Sequence, residues 1–100
     1  MSVALVTAGS AGLGAAAVRV FAKNGYRVIV NYANNEERAN KLLEELPPLS
    51  TLPRESGSEH FAAIKADLGS RDEINRLIKE TVDRFGRLDV IFSNGGWTRL

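Results

Sequence analysis

Glycines carry the chemistry that is easiest to read in this chain. Val3 to Val6 is a short apolar run that ends in Thr7-Ala8-Gly9-Ser10-Ala11-Gly12-Leu13-Gly14, and a helical pattern begins at once. A loop of small residues lets backbone N–H groups approach a ligand closely. The N-terminus of the following helix adds exposed donors and a partial positive charge that favours an anion. A strand, a glycine loop and a helix in that order point to the phosphates of a nucleotide or dinucleotide.

Two further clusters sit where strands should end. Asp67-Leu68 follows the run His60 to Ala66, and Ser93-Asn94-Gly95-Gly96 breaks the run Leu88-Asp89-Val90-Ile91-Phe92. Asp67 has two readings, as a ligand contact or as the cap of a turn before Gly69. Asn94 suits both a ligand role and the tying of neighbouring loops, because a short amide after a strand bonds nearby backbone readily. Trp97 either walls a pocket or is an exposed aromatic. With no cysteine and His60 as the one histidine, there is neither a disulfide framework nor an imidazole or thiolate metal site. His60 reads as a solvated residue at a strand entrance.

The elements that position these clusters alternate. Val3 to Val6 lacks polar alternation, as expected of a strand covered on both faces. Ala16, Ala17, Val20 and Phe21 recur at helical spacing, and Gly25 after Asn24 marks a left-handed helix end. Arg27 to Asn31 reads as a second strand. Asn34 or Asn35 caps a helix with Glu36 and Glu37 in its first turn and Ala39, Leu42, Leu43 and Leu46 as its buried stripe; Pro47 is expected to stop it. The stretch from Pro47 to Glu59 holds all three prolines with several serines, and reads as a long loop, either functional or a tolerated surface insertion. After a third strand at His60 to Ala66, Ser70-Arg71-Asp72-Glu73 has the capping-box pattern. Ile74, Leu77, Ile78, Val82 and Phe85 share the face of the helix it opens, Gly86 ends that helix, and Leu88 to Phe92 is a fourth strand. Strands alternating with helices demand an α/β fold, a doubly wound parallel sheet with right-handed crossovers.

Composition narrows the function classes. The 100 residues, 44% of them hydrophobic and 25% charged, fit one globular domain, 1–100. Thirteen Lys and Arg stand against 12 Asp and Glu, scattered rather than clustered, so nucleic acid is not an expected partner. No apolar run approaches the roughly 18 to 20 residues that span a bilayer, and no basic region leads into a signal core. The expectation is a cytoplasmic protein with no membrane partner.

The glycine spacing is neither the common dinucleotide fingerprint nor the nucleoside triphosphate loop. Glycines at 9, 12 and 14 behind Thr7 resemble the TGxxxGxG loop of the short-chain dehydrogenase/reductase family, with Ala8 where the first glycine usually stands. Asp67-Leu68 resembles that family's Asp-hydrophobic pair, whose carboxylate accepts a hydrogen bond from the adenine amino group. Ser93 to Gly96 resembles its NNAG segment, with Ser93 and Gly95 as departures. The resemblance covers the chain apart from the Pro47 to Glu59 loop, and only the first part of a typical member.

This resemblance implies a Rossmann-type fold that breaks off after its fourth strand, and a dinucleotide cofactor. The contacts it implies are Thr7 and the Gly9-Ser10-Ala11-Gly12-Leu13-Gly14 turn, then Asn31, Tyr32 and Ala33 at the end of the second strand, Asp67 and Leu68, and Asn94, Gly95 and Gly96. An acidic residue at the end of the second strand would bind a ribose 2′-hydroxyl and repel a 2′-phosphate. Asn31-Tyr32-Ala33-Asn34-Asn35 has none, which favours NADP over NAD, although the positive side chain often found there is also missing, Ala11 and Ala33 filling its usual places.

The family's catalytic pair, Tyr and a Lys four residues on, is absent: Val30 stands at that distance from Tyr26, and Glu36 from Tyr32. No catalytic residue is therefore assigned, and the small-molecule substrate is not legible. Two functions remain open: the cofactor half of an NADP-dependent oxidoreductase, or a non-enzymatic nucleotide-binding module, either a sensor or a fragment that associates with a longer homologue. An unpartnered edge at Val90 to Phe92 implies low stability or self-association.

Overall fold

A computed structural model describes residues 2–8, 12–52 and 59–93. Four strands and three helices alternate: β1 (Val3–Thr7), α1 (Gly12–Lys23), β2 (Arg27–Tyr32), α2 (Glu36–Leu49), β3 (Phe61–Lys65), α3 (Arg71–Phe85) and β4 (Val90–Ser93). The strands form one parallel sheet in the order β3-β2-β1-β4. Its register pairs Leu5 with both Ile29 and Ile91, and Ile29 with Ala62. All of β1 is buried, which accounts for its unbroken apolar sequence.

Alternate residues of the central strands feed two cores. Val6, Val28 and Val30 face Ala15, Val18 and Ala22 of α1 and Leu42 and Leu46 of α2. Val3, Leu5, Ile29, Ala62 and Ile64 face Leu77 and Phe85 of α3. The helices therefore cover opposite faces of the sheet, as a doubly wound fold requires. β4 lies at the sheet margin with Ile91 half exposed.

The punctuation follows local chemistry. Asn35 caps α2, its Oδ1 accepting the Arg38 N–H at 2.9 Å, and Ser70 caps α3 by accepting the Glu73 N–H. Gly25 and Gly86 both adopt positive φ after their helices. At Gly25 an added Cβ would also lie 3.1 Å from the Thr51 hydroxyl, so close approach reinforces the need for glycine.

Three sequence expectations are corrected. α2 does not stop at Pro47 but runs to Leu49 with Pro47 and Pro48 in its last turn. Their fixed φ is compatible with a helix, and the Ser50 N–H closes the turn onto the carbonyls of Leu46 at 2.9 Å and Pro47 at 3.3 Å. The loop expected from Pro47 is correspondingly shorter, and its residues 53–58 lie outside the described ones. On α1 the buried positions are Gly14, Ala15, Val18 and Ala22, while Ala16 and Val20 face solvent. On α3, Thr81 is buried and Val82 is exposed. The Thr81 hydroxyl donates to the Leu77 carbonyl at 2.9 Å, so this polar side chain enters the core already satisfied.

Candidate functional site

The strand order reverses its direction of growth at β1: β2 and β3 extend to one side, β4 to the other. In open α/β sheets the crevice beyond the carboxyl ends of the strands at such a reversal is where ligands bind. All four strands are parallel, so Thr7, Tyr32, Lys65 and Ser93 end along the same edge. Each residue group that the sequence singles out lies at, or follows in the chain, one of those ends.

Beyond β1, Thr7 is buried and its Oγ1 donates to the Phe92 carbonyl at 3.4 Å, which ties the ends of β1 and β4. Ala8 has φ 50, in the left-handed region that L side chains avoid. An alanine thus occupies a turn that suits glycine, a role its sequence position hints at only by comparison with glycine-bearing loops. Gly12 has φ +57, and an added Cβ there meets none of the described residues within 4 Å. Gly14 is buried at the first turn of α1, whose first turn carries no acidic residue, and Leu13 is exposed. The helix N-terminus therefore presents its positive end with no carboxylate of its own to compete for an anion. Gly9, Ser10 and Ala11 lie outside the described residues, as do Asn94, Gly95, Gly96 and Trp97.

At the end of β2 the three candidates differ. Asn31 is 1% exposed with its amide bonded to backbone on two sides, Tyr32 is buried, and Ala33 is exposed. The nearest acidic side chains along the chain, Glu36 and Glu37, open α2.

At the end of β3, Asp67 is exposed and its Oδ1 accepts the Gly69 N–H at 2.8 Å. The turn-capping reading is therefore realised, and it engages one carboxylate oxygen. The neighbouring backbone is held on several sides. The Ala66 N–H donates to the Tyr32 carbonyl at 3.0 Å, and Arg76 donates to the Lys65 carbonyl at 2.6 Å. Arg76 is in turn ion-paired with Glu73 at 2.9 Å and Glu80 at 2.8 Å. The Arg76 guanidinium is the main cause that holds the Glu73 carboxyl below its ordinary value, and the Asp67 N–H adds to it. Sequence reasoning missed Arg76, because its role depends on α3 lying beside β3.

Leu68 packs against the α3-side core and helps to line a cavity of about 70 Å³ with Ile74, Ile78, Ile91, Thr7 and Ser93. This apolar hollow lies on the α3 face beside the ends of β1 and β4. A larger concavity of about 580 Å³ runs between β3 and α3, but Glu73, Arg76, Glu80, Asp83 and Arg84 fill its walls with ion-pairing groups. Among the described residues no group of His, Asp and Glu could hold a metal ion, and no helix is long and apolar enough to cross a membrane.

Comparison with known proteins agrees with this geometry. The family model described as short chain dehydrogenase matches residues 2–100. The 3-oxoacyl-acyl-carrier-protein reductase FabG of Staphylococcus aureus is 41% identical over 96 residues, which cover 96% of this chain and 36% of that protein. Versicolorin reductase of Emericella nidulans is 38% identical over 94 residues, covering 94% of this chain and 33% of its own length. Among solved structures, a short-chain dehydrogenase/reductase variant of Serratia marcescens superposes with a TM-score of 0.82 at 30% identity, over 99% of this chain and 37% of the other. An actinorhodin polyketide ketoreductase variant solved with NADPH gives 0.77 at 34% identity, over 96% and 33%. The chain thus spans about a third of the length of the relatives it matches. Motif order, sheet topology and these matches coincide: the chain belongs to the short-chain dehydrogenase family.

Proposed function

We propose that the chain binds NADP(H) along the carboxyl ends of its strands and serves as the cofactor half of an oxidoreductase that interconverts a carbonyl and an alcohol. The observation that carries this reading is that Ala8, the start of α1 at Gly12, the end of β2 and Asp67 all lie along one edge at the strand-order reversal. The fit is favourable. Positive φ at Ala8 and Gly12 turns the backbone ahead of α1, and no described residue crowds the position of a Gly12 Cβ.

In this reading Thr7 and the segment Gly9 to Gly14 hold the pyrophosphate, Asp67 receives the adenine amino group through the carboxylate oxygen outside its turn, and Leu68 gives the base an apolar contact. Tyr32 and Ala33 border the ribose; Asn94, Gly95 and Gly96 complete the wall beyond β4. When bound, the nicotinamide supplies or accepts the hydride. The absence of a carboxylate between Asn31 and Asn35 supports NADP over NAD, because a 2′-phosphate meets no negative side chain there. The NADPH seen with the actinorhodin ketoreductase supports the same choice. None of the 100 residues receives a catalytic role, and the substrate is a small molecule of unspecified structure.

Thermal unfolding with each nucleotide tests the proposal. NADPH should raise the midpoint more than NADH at equal concentration, since a ligand that binds only the folded state stabilises it by mass action. Gly12→Asp should abolish the rise by placing a side chain and a negative charge at the diphosphate position. Protection that survives Gly12→Asp would refute the phosphate site, and equal protection by NADH would refute the NADP preference.

A further inference from the structure

Asn31 is 1% exposed, nearly as buried as the core valines, yet its side chain ends in an amide. Its Oδ1 accepts the Ala8 N–H at 3.0 Å. Its Nδ2 donates to the carbonyls of Ile64 and Ala66, both at 3.3 Å, with the Tyr32 carbonyl at 3.4 Å. One planar amide therefore reaches the first residue after β1 and the last residue before Asp67. Asparagine is suited to this task, because it combines an acceptor with two donors. An ionised aspartate has no donor, threonine has one hydroxyl, and leucine has neither function.

We propose that Asn31 is a positioning residue that couples the two arms of the cofactor site, the phosphate turn beyond β1 and the adenine contact Asp67 beyond β3. This rests on the dinucleotide reading above. Asn31 acts through backbone: it touches Ala8 and Ala66, and its amide groups are already engaged by the protein. The Ala8 N–H is held while that residue sits at φ 50, so the acceptor fixes a turn that an alanine would otherwise leave. The Ala66 carbonyl belongs to the peptide that leads into Asp67, so fixing it sets the direction from which the Asp67 side chain departs. Removing the acceptor from the part-buried Ala8 N–H, or the donors from the buried Ile64 and Ala66 carbonyls, is costly, so the two arms are held together.

A double-mutant cycle with NADPH as the probe tests the coupling. Asn31→Asp retains an acceptor for Ala8 but removes both donors to the β3 end. Asp67→Ala removes the adenine contact. Each single variant should weaken NADPH binding, and the loss caused by Asp67→Ala should be smaller in the Asn31→Asp background by about fivefold. A purely structural role for Asn31 would lower stability, read by urea unfolding, while the two affinity losses multiplied independently. Independent losses overturn this inference and leave the cofactor site standing. A parent chain that binds neither NADPH nor NADH overturns both. If Asn31→Asp does not fold, Asn31→Thr, whose hydroxyl preserves a single bond, takes its place in the cycle with the same expected coupling.

Discussion

Asp89 and Val3 are joined twice, at the opening of the β1–β4 pair. The Val3 N–H donates to Asp89 Oδ2 at 2.8 Å, and the Asp89 N–H donates to the Val3 carbonyl at 3.0 Å. The Arg87 guanidinium, bonded to the same carboxylate at 2.7 Å, is the first cause that holds the Asp89 carboxyl below its ordinary value of 3.8; the Val3 N–H is the second. A carboxylate depressed in the folded state contributes stability that is complete above its unfolded pKa and is lost as pH falls through the folded one. Asp89→Asn should therefore flatten the acid limb of the stability profile below about pH 4, as urea unfolding at stepped pH would measure. The effect is small because the group faces solvent. A variant that loses stability in acid as steeply as the parent would contradict it.

Ala8 should be improvable. The left-handed conformation costs a non-glycine residue about 1–2 kcal/mol, against which glycine loses about 0.5–1 kcal/mol more entropy on folding. Ala8→Gly is therefore expected to stabilise the chain by about 0.5–1 kcal/mol. The mirror experiment, Gly12→Ala, should destabilise through backbone strain alone, because no described residue crowds the position of the added Cβ. Urea midpoints of the two variants should move in opposite directions.

The face that α3 presents to the sheet can be checked by two substitutions. Leu77, 1% exposed, should cost about 2–5 kcal/mol on change to Ala. Val82 is 40% exposed, and Val82→Lys should stay within about 0.5 kcal/mol of the parent. A large loss at Val82 would restore the stripe expected from spacing.

How much of this was legible depends on how local the cause is. Asn35, Ser70, Gly25 and Gly86 act within a few residues of themselves, and their types alone announced where helices begin and end. The family was legible because the spacing of the glycines and of Asp67-Leu68 resembles its motifs. The rotation of α1 was not, since its turns carry apolar residues nearly all round. On α3, Thr81 and Val82 stand side by side at the margin of the stripe, so contact with the sheet decides which is buried. That decision puts Thr81 inside and Val20 outside. Arg76 was missed, and the backbone contacts of Asn31 were not foreseen, for a related reason. Their partners, Ala8, Ala66 and Lys65, are distant in sequence and meet them only once the strands are laid side by side.

The margin of the sheet gives a further expectation. Ile91 is half exposed beside the hollow lined by Leu68, Ile74 and Ile78, and β4 pairs with β1 alone among the described strands. Parallel edges with apolar side chains invite association. Ile91→Lys should lower any concentration-dependent association seen by sedimentation while leaving the unfolding midpoint of the monomer nearly unchanged. Association that persists undiminished would assign it to another surface.

Because β1 lies between β2 and β4, and β2 between β1 and β3, the two inner strands share every ladder in the described sheet. β4 is the shortest described strand, bonds to β1 alone and is exposed at alternate positions, so amide protons along it should exchange with solvent first and those of Leu5 and Ile29 last. A ligand lying across the β1–β4 crevice would then be felt most as a slowing of that early exchange. In this chain, occupancy of the site and integrity of its weakest strand would be the same measurement.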